Sequence, residues 1–134
     1  MTREEKALKY KHSGYNCCQA VLLSFAEELG MDEETLKMLG SGFGAGMGSM
    51  EGNCGALIGA VMADNLKNAR KNPVGAKKIL AAFQEQCGAL RCADLKGRET
   101  GNVLCSCDDC VRNAVNIVEN AGEPPVPISR SCLL

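Results

Sequence analysis

Cysteine is far more abundant in this chain than its size would suggest, with nine in 134 residues and only one histidine, His12. A small secreted protein would pair them as disulfides. Here the count is odd, the charged N-terminal segment has no apolar signal region, and the length suffices for a hydrophobic core. The pattern predicts thiols used for metal binding or redox chemistry in a cytoplasmic protein. The nine are Cys17, Cys18, Cys54, Cys87, Cys92, Cys105, Cys107, Cys110 and Cys132.

The overall composition indicates one globular domain, because 46% of the residues are hydrophobic and 23% are charged. We expect this domain to span residues 1–122, followed by an extended, proline-rich tail over 123–134. A net charge of -1 without a basic patch argues against nucleic acid as a partner. No apolar run approaches the roughly 20 residues that a membrane-spanning helix needs, so we expect no membrane insertion.

Helical spacing of apolar residues recurs along the chain, and no strand-like alternation interrupts it. The sequence therefore predicts an all-α fold of five to six packed helices with a glycine-rich loop over 40–55. The segment 91–104 is polar, contains two glycines and is predicted to be a loop. Helices are predicted at 2–14, 16–29, 32–39, 54–71, 74–90 and 105–121.

Two cysteines stand where predicted helices begin, Cys17 after Asn16 and Cys54 after Asn53. The free N–H groups and the positive end of the helix dipole stabilise a thiolate at such positions, which lowers the thiol pKa. A lowered pKa makes both a better nucleophile and a better metal ligand. The alternative for any single cysteine is a small buried hydrophobic residue.

The remaining cysteine spacings fit no standard metal signature. Cys107-x2-Cys110 is a lone match to the Cys-x2-Cys pattern, so neither a zinc ribbon nor a thioredoxin motif is indicated. Ferredoxin spacing is also absent. Cys87 lies five residues before Cys92, and Cys105 lies ahead of the last predicted helix.

Five segments of the chain carry a further pattern: 15–17, the glycine-rich 41–48, 54–59, 92–95 and 110–111. Together they resemble a family of redox-active proteins named for a C-GCAxxG-C-C cysteine pattern. The resemblance extends from about residue 13 to 120. It implies an all-helical domain with four family cysteines, Cys17, Cys54, Cys92 and Cys110, and a redox role. The family name writes Gly-Cys-Ala where this chain has Cys54-Gly55-Ala56.

The resemblance leaves the chemistry of these cysteines open. The four thiols are candidate ligands for an iron–sulfur cluster or zinc, with Cys87 and Cys107 as secondary candidates. Without a metal, the same thiols would carry out thiol–disulfide exchange, with Cys17 or Cys54 as the attacking thiol and a redox protein as partner. The alternative is a non-catalytic helical binding or assembly domain with buried structural cysteines. For either function, a homodimer is a candidate assembly. The spacing of Gly55 and Gly59 predicts a close approach by another helix.

Overall fold

The computed structural model describes residues 1–121, and within this range the chain is all-α with no β-strand. The predicted fold class is confirmed. Within residues 1–121, eight α-helices are joined by short loops, and an irregular turn over Gly46–Met50 lies in the glycine-rich segment. The helices are α1 (Arg3–His12), α2 (Cys17–Ser24), α3 (Ala26–Leu29), α4 (Glu33–Gly40), α5 (Gly55–Lys67), α6 (Val74–Cys87), α7 (Cys92–Lys96) and α8 (Cys107–Asn120).

Side-chain caps determine where several helices begin. The side chains of Thr2, Asp32 and Ser106 each accept a hydrogen bond from the backbone N–H three residues later. Asn16 forms a reciprocal capping box with Gln19 at the start of α2. Since each cap satisfies a backbone donor that has no partner inside the helix, these residues fix the position of the first turn.

The core lies around α2, which packs against α1, α4 and α5, while α8 closes the bundle against α1, α5 and α6. Gly59 lets α2 and α5 approach closely, because a Cβ there would lie 2.9 Å from the carbonyl oxygen of Cys18. The close approach expected at this glycine is confirmed. The largest fully buried side chains include Phe25, Phe83, Leu22, Leu57, Leu95, Val111 and Val115.

The structure differs from the predicted helices at two places. The helix predicted over 16–29 is interrupted at Phe25, giving α2 and α3. Ser24 accounts for the interruption: its carbonyl accepts a hydrogen bond from Arg3, and its hydroxyl donates to Val21. The predicted loop over 91–104 contains α7, which ends at Gly97 in the left-handed conformation.

The predicted extended tail, 123–134, lies outside the described residues, as does Cys132. No helix within 1–121 combines the length and apolar character needed to cross a membrane.

Candidate functional site

Five cysteines from four parts of the chain line one cavity of about 350 Å³, which we call the thiol cavity. All four cysteines nominated by the resemblance are among them, and the fifth is the secondary candidate Cys107. Lys11 and Lys96 also line the wall, so cationic side chains stand near the sulfurs. The tertiary fold therefore gathers these thiols at one place. The five are Cys17, Cys54, Cys92, Cys107 and Cys110.

Two helix N-termini contribute the thiols of Cys17 and Cys54. Cys17 is the first residue of α2, and Cys54 is the N-cap of α5, so the predicted positions at helix starts are confirmed. The Cys54 sulfur accepts backbone hydrogen bonds from Ala56 and Leu57. These donors and the helix dipole stabilise negative charge on this sulfur.

Gly55 allows the two thiols to meet. A Cβ at this position would lie 2.5 Å from the Cys17 sulfur and 2.6 Å from the carbonyl oxygen of Phe43. Both distances are too short for any side chain. The Cys-Gly-Ala order at the start of α5 thus has a direct structural reason, since only glycine leaves room for the Cys17 sulfur.

The glycine-rich segment forms the wall beside Cys17 in an unusual backbone conformation. Residues 45–48 have four consecutive positive φ angles, of 53°, 59°, 61° and 80°. Ala45 and Met47 are not glycine, and each left-handed residue of this kind costs about 1 kcal/mol or more. The conformation brings the backbone N–H of Ala45 to the Cys17 sulfur. Strain of this kind beside a reactive group is typical of functional sites.

Cys92 reaches the cavity through a short antiparallel pairing between Asn53 and Arg91. The N–H of Cys54 donates to the carbonyl of Leu90 at 2.8 Å, and the N–H of Cys92 donates to that of Gly52 at 3.0 Å. Two segments that are distant in sequence are thereby held side by side, each ending in a cavity cysteine.

A second group of sulfurs lies behind the cavity wall. The sulfurs of Cys87, Cys105 and Cys110 all lie within 4.8 Å of one another, and all three residues are buried; we call them the three-cysteine cluster. Cys87 ends α6, Cys105 precedes α8, and Cys110 faces inward from α8. Cys110 belongs to both groups. Sequence reasoning assigned no role to Cys105, because its spacing to Cys107 matches no known motif.

The thiols of the cavity polarise one another. Hydrogen bonds from Cys110 and Cys17, followed by the backbone donors of α5, hold the pKa of Cys54 far below its ordinary value. The interaction with Cys54, together with burial, raises the pKa of Cys17, so the lowered pKa predicted for Cys17 from its position at a helix start is wrong. Cys54 also raises the pKa of Cys110. Of these three thiols, Cys54 is therefore the one whose deprotonated form the cavity favours most.

Lys96 places a cation against these sulfurs. Its Nζ lies 3.5 Å from the Cys110 sulfur and donates to the carbonyl of Cys105 at 3.1 Å. Burial lowers the pKa of this ammonium, but its interactions with Cys110 and Cys107 outweigh burial and raise the pKa overall. Lys96 therefore remains charged and offsets thiolate charge at the site.

Cys18 lies away from both groups although it is adjacent to Cys17. It is fully buried against α5 in the apolar core, and burial raises its pKa to about 12. It is a structural cysteine. Cys107, by contrast, is exposed at the cavity rim.

An ion pair at the rim makes a pH-dependent contribution to stability. Lys11 pairs with Asp108 at 2.7 Å, and His12 lies 3.0 Å from the same carboxylate. The hydrogen bond from Lys11, and to a smaller extent the one with His12, hold the pKa of Asp108 below its ordinary value. Burial acts in the opposite direction but is outweighed. The stabilisation is therefore present above about pH 4, the unfolded value, and is lost as the pH falls through the folded pKa.

We expect Asp108→Asn to be less stable than the native protein at neutral pH, and the difference to vanish in strong acid. Urea unfolding of both proteins from neutral pH to strong acid measures this difference in stability. Lys11→Gln should reproduce the same loss. A difference that persists below the folded pKa of Asp108 would contradict this assignment.

The fold and the site together define an all-α protein with a cavity built from cysteine thiols. Over residues 15–121 the chain matches the family model described as "Putative redox-active protein (C_GCAxxG_C_C)", and it belongs to that family. The resemblance noted from the sequence is confirmed. No curated protein and no solved structure matches the chain.

Proposed function

We propose that this protein carries out two-electron thiol redox chemistry by forming and breaking a disulfide between Cys17 and Cys54. The observation that carries the proposal is that the Cys17 and Cys54 thiols interact with each other in one cavity open to solvent, with the Cys17 sulfur beside Gly55, the residue that follows Cys54. Membership of a redox-active family agrees with it. The two residues come from different helix N-termini, so the pair depends on the fold.

The reaction is written for a low-molecular-weight disulfide as the oxidant. The Cys54 thiolate attacks one sulfur of this disulfide, forming a mixed disulfide and releasing the first thiolate. Cys17 then attacks the Cys54 sulfur, the mixed disulfide breaks, and the second thiolate leaves with the proton that Cys17 gives up. The small disulfide gains two electrons and the Cys17–Cys54 pair loses two. A dithiol partner protein reverses the step.

The shape of the site favours a small substrate. A cavity of about 350 Å³ lies at the lower end of the range for small-molecule sites. Cys54 is only 2% exposed, whereas Cys17 is partly exposed. A compact disulfide can enter the cavity and reach the Cys54 sulfur. Cys17 lies close enough to attack the resulting mixed disulfide.

The test is to oxidise the reduced protein with 2-hydroxyethyl disulfide and map disulfides by peptide mass spectrometry. We expect a Cys17–Cys54 disulfide as the main product, together with two equivalents of released thiol. Cys17→Ser should stop at the mixed disulfide on Cys54, and Cys54→Ser should react little.

Cys18→Ala is the matched control, because Cys18 is adjacent in sequence but lies outside the cavity. It should form the disulfide at the native rate. Unchanged oxidation in Cys54→Ser, combined with a loss of stability, would contradict the proposal and favour a non-catalytic assembly domain with structural cysteines.

A second candidate function uses the same cavity to hold an iron–sulfur cluster. The observation in its favour is that Cys17, Cys54, Cys92 and Cys110 all line the cavity, and four thiolates are the usual ligand set. Iron and acid-labile sulfide in stoichiometric amounts after anaerobic purification, lost in Cys92→Ser, would support it. Their absence would leave the disulfide chemistry as the function of the cavity.

A further inference from the structure

Two members of the three-cysteine cluster, Cys87 and Cys105, lie outside both the proposed redox pair and the four family cysteines. Nothing in the redox proposal requires them. The three sulfurs are nevertheless all within 4.8 Å of one another, and no disulfide joins them. Three free thiols brought together in a protein interior call for a separate explanation.

The spacing of these sulfurs is that of ligands to a single metal ion. In a tetrahedral site with metal–sulfur bonds near 2.3 Å, ligand sulfurs lie about 3.8 Å apart. The cluster therefore needs to contract by no more than about 1 Å to bind one ion. An iron–sulfur cluster spreads its cysteine sulfurs over several irons and requires wider spacing.

The backbone around the cluster is fixed by local structure. Gly88, in the left-handed conformation, ends α6 directly after Cys87. The N–H groups of Leu104 and Cys105 both donate to the carbonyl of Leu95, at 2.9 and 3.3 Å, and Ser106 caps α8. The ligands thus come from three well-defined positions, which is a requirement for a preorganised site.

Polar groups around the sulfurs match the needs of a metal–thiolate centre. Asn113 donates from Nδ2 to the Cys87 sulfur at 3.3 Å and to the Cys105 sulfur at 4.0 Å. Three thiolates and a divalent cation carry a net charge of −1, and the ammonium of Lys96, 3.5 Å from the Cys110 sulfur, balances it. Such outer hydrogen bonds and counter-charges orient and stabilise metal ligands.

We propose that Cys87, Cys105 and Cys110 form a mononuclear site for a soft divalent cation of the zinc type, with its fourth position open to the thiol cavity. Three sulfur ligands select soft cations and exclude calcium and magnesium. The Cys54 sulfur contacts Cys110 but is not among the sulfurs that lie within 4.8 Å of one another. It therefore remains available for the redox pair. Cys110 joins the two sites and places the ion at the cavity wall.

The test is a pair of separate anaerobic titrations of the full-length, reduced, metal-stripped protein, one with Zn²⁺ and one with Co²⁺ as a spectroscopic probe. We expect one ion per chain, and for Co²⁺ both sulfur-to-metal charge-transfer bands and the intense d–d bands of tetrahedral geometry. Cys87→Ser and Cys105→Ser should each weaken Zn²⁺ binding at least tenfold. Cys17→Ser, Cys92→Ser and Cys18→Ala should bind it as the native protein does.

The redox reaction serves as a check of folding for these variants. Cys105→Ser should still form the Cys17–Cys54 disulfide, which shows that its fold and cavity are intact. If the variant does not fold, the native protein alone tests the proposal. A Co²⁺ complex of the native protein without thiolate charge-transfer bands overturns it. Zn²⁺ binding that is lost in Cys17→Ser or Cys92→Ser, but retained in Cys87→Ser, also overturns it. Neither result affects the disulfide experiment, so the two proposals fail separately.

Discussion

Replacement of Asp64 by alanine is expected to lower the free energy of unfolding by about 3–5 kcal/mol, which is the usual cost of removing one partner of a buried ion pair. Asp64 is fully buried in α5 and accepts hydrogen bonds from Arg70 at 2.6 Å and from Asn68 at 2.8 Å. Arg70 is itself largely buried, so the substitution leaves its guanidinium without a counter-charge. Urea unfolding at neutral pH measures the loss.

The control for this prediction is Glu34→Ala. Glu34 pairs with Lys37 one helical turn away at 2.8 Å, but its side chain is 79% exposed. Exposed pairs of this kind contribute less than about 1 kcal/mol. Similar losses in the two variants would show that burial of the Asp64 pair does not determine its importance.

Replacement of Gly55 by alanine is expected to cost about 1–3 kcal/mol of stability, as overpacking of a tightly packed interior generally does. The added methyl would overlap the Cys17 sulfur and the carbonyl oxygen of Phe43, and a backbone atom cannot move away cheaply. Because the substitution pushes Cys17 aside, we also expect at least a tenfold lower rate of Cys17–Cys54 disulfide formation. Urea unfolding and the mass-spectrometric assay measure the two effects.

Gly42→Ala is the matched control. It lies in the same glycine-rich segment, but no atom lies within 4 Å of the position its Cβ would occupy, and its φ is not in the left-handed range. We expect unchanged stability and unchanged disulfide formation. Full disulfide formation in Gly55→Ala would mean that Cys17 does not need the space this glycine provides.

The local structure around the reactive thiols was largely readable from the sequence. The positions of Cys17 after Asn16 and of Cys54 at the start of α5 follow from capping and helical periodicity, which act within a few residues. The short helix α7 escaped prediction because five residues are too few to show a helical period. The interruption at Phe25 coincides with a hydrogen bond from Arg3, distant in sequence, to the Ser24 carbonyl.

The sequence by itself determined the all-α fold, the helix starts that carry Cys17 and Cys54, and the four cysteines that turned out to share a cavity. These depend on short-range spacing and on a family pattern. Only the tertiary structure decided how the other thiols are divided. It places Cys18 in the core, brings Cys105 next to Cys87 and Cys110, and makes Cys110 common to both groups. The physical reason is that sulfur–sulfur proximity depends on how α5, α6 and α8 pack, and spacing along the chain does not encode that packing.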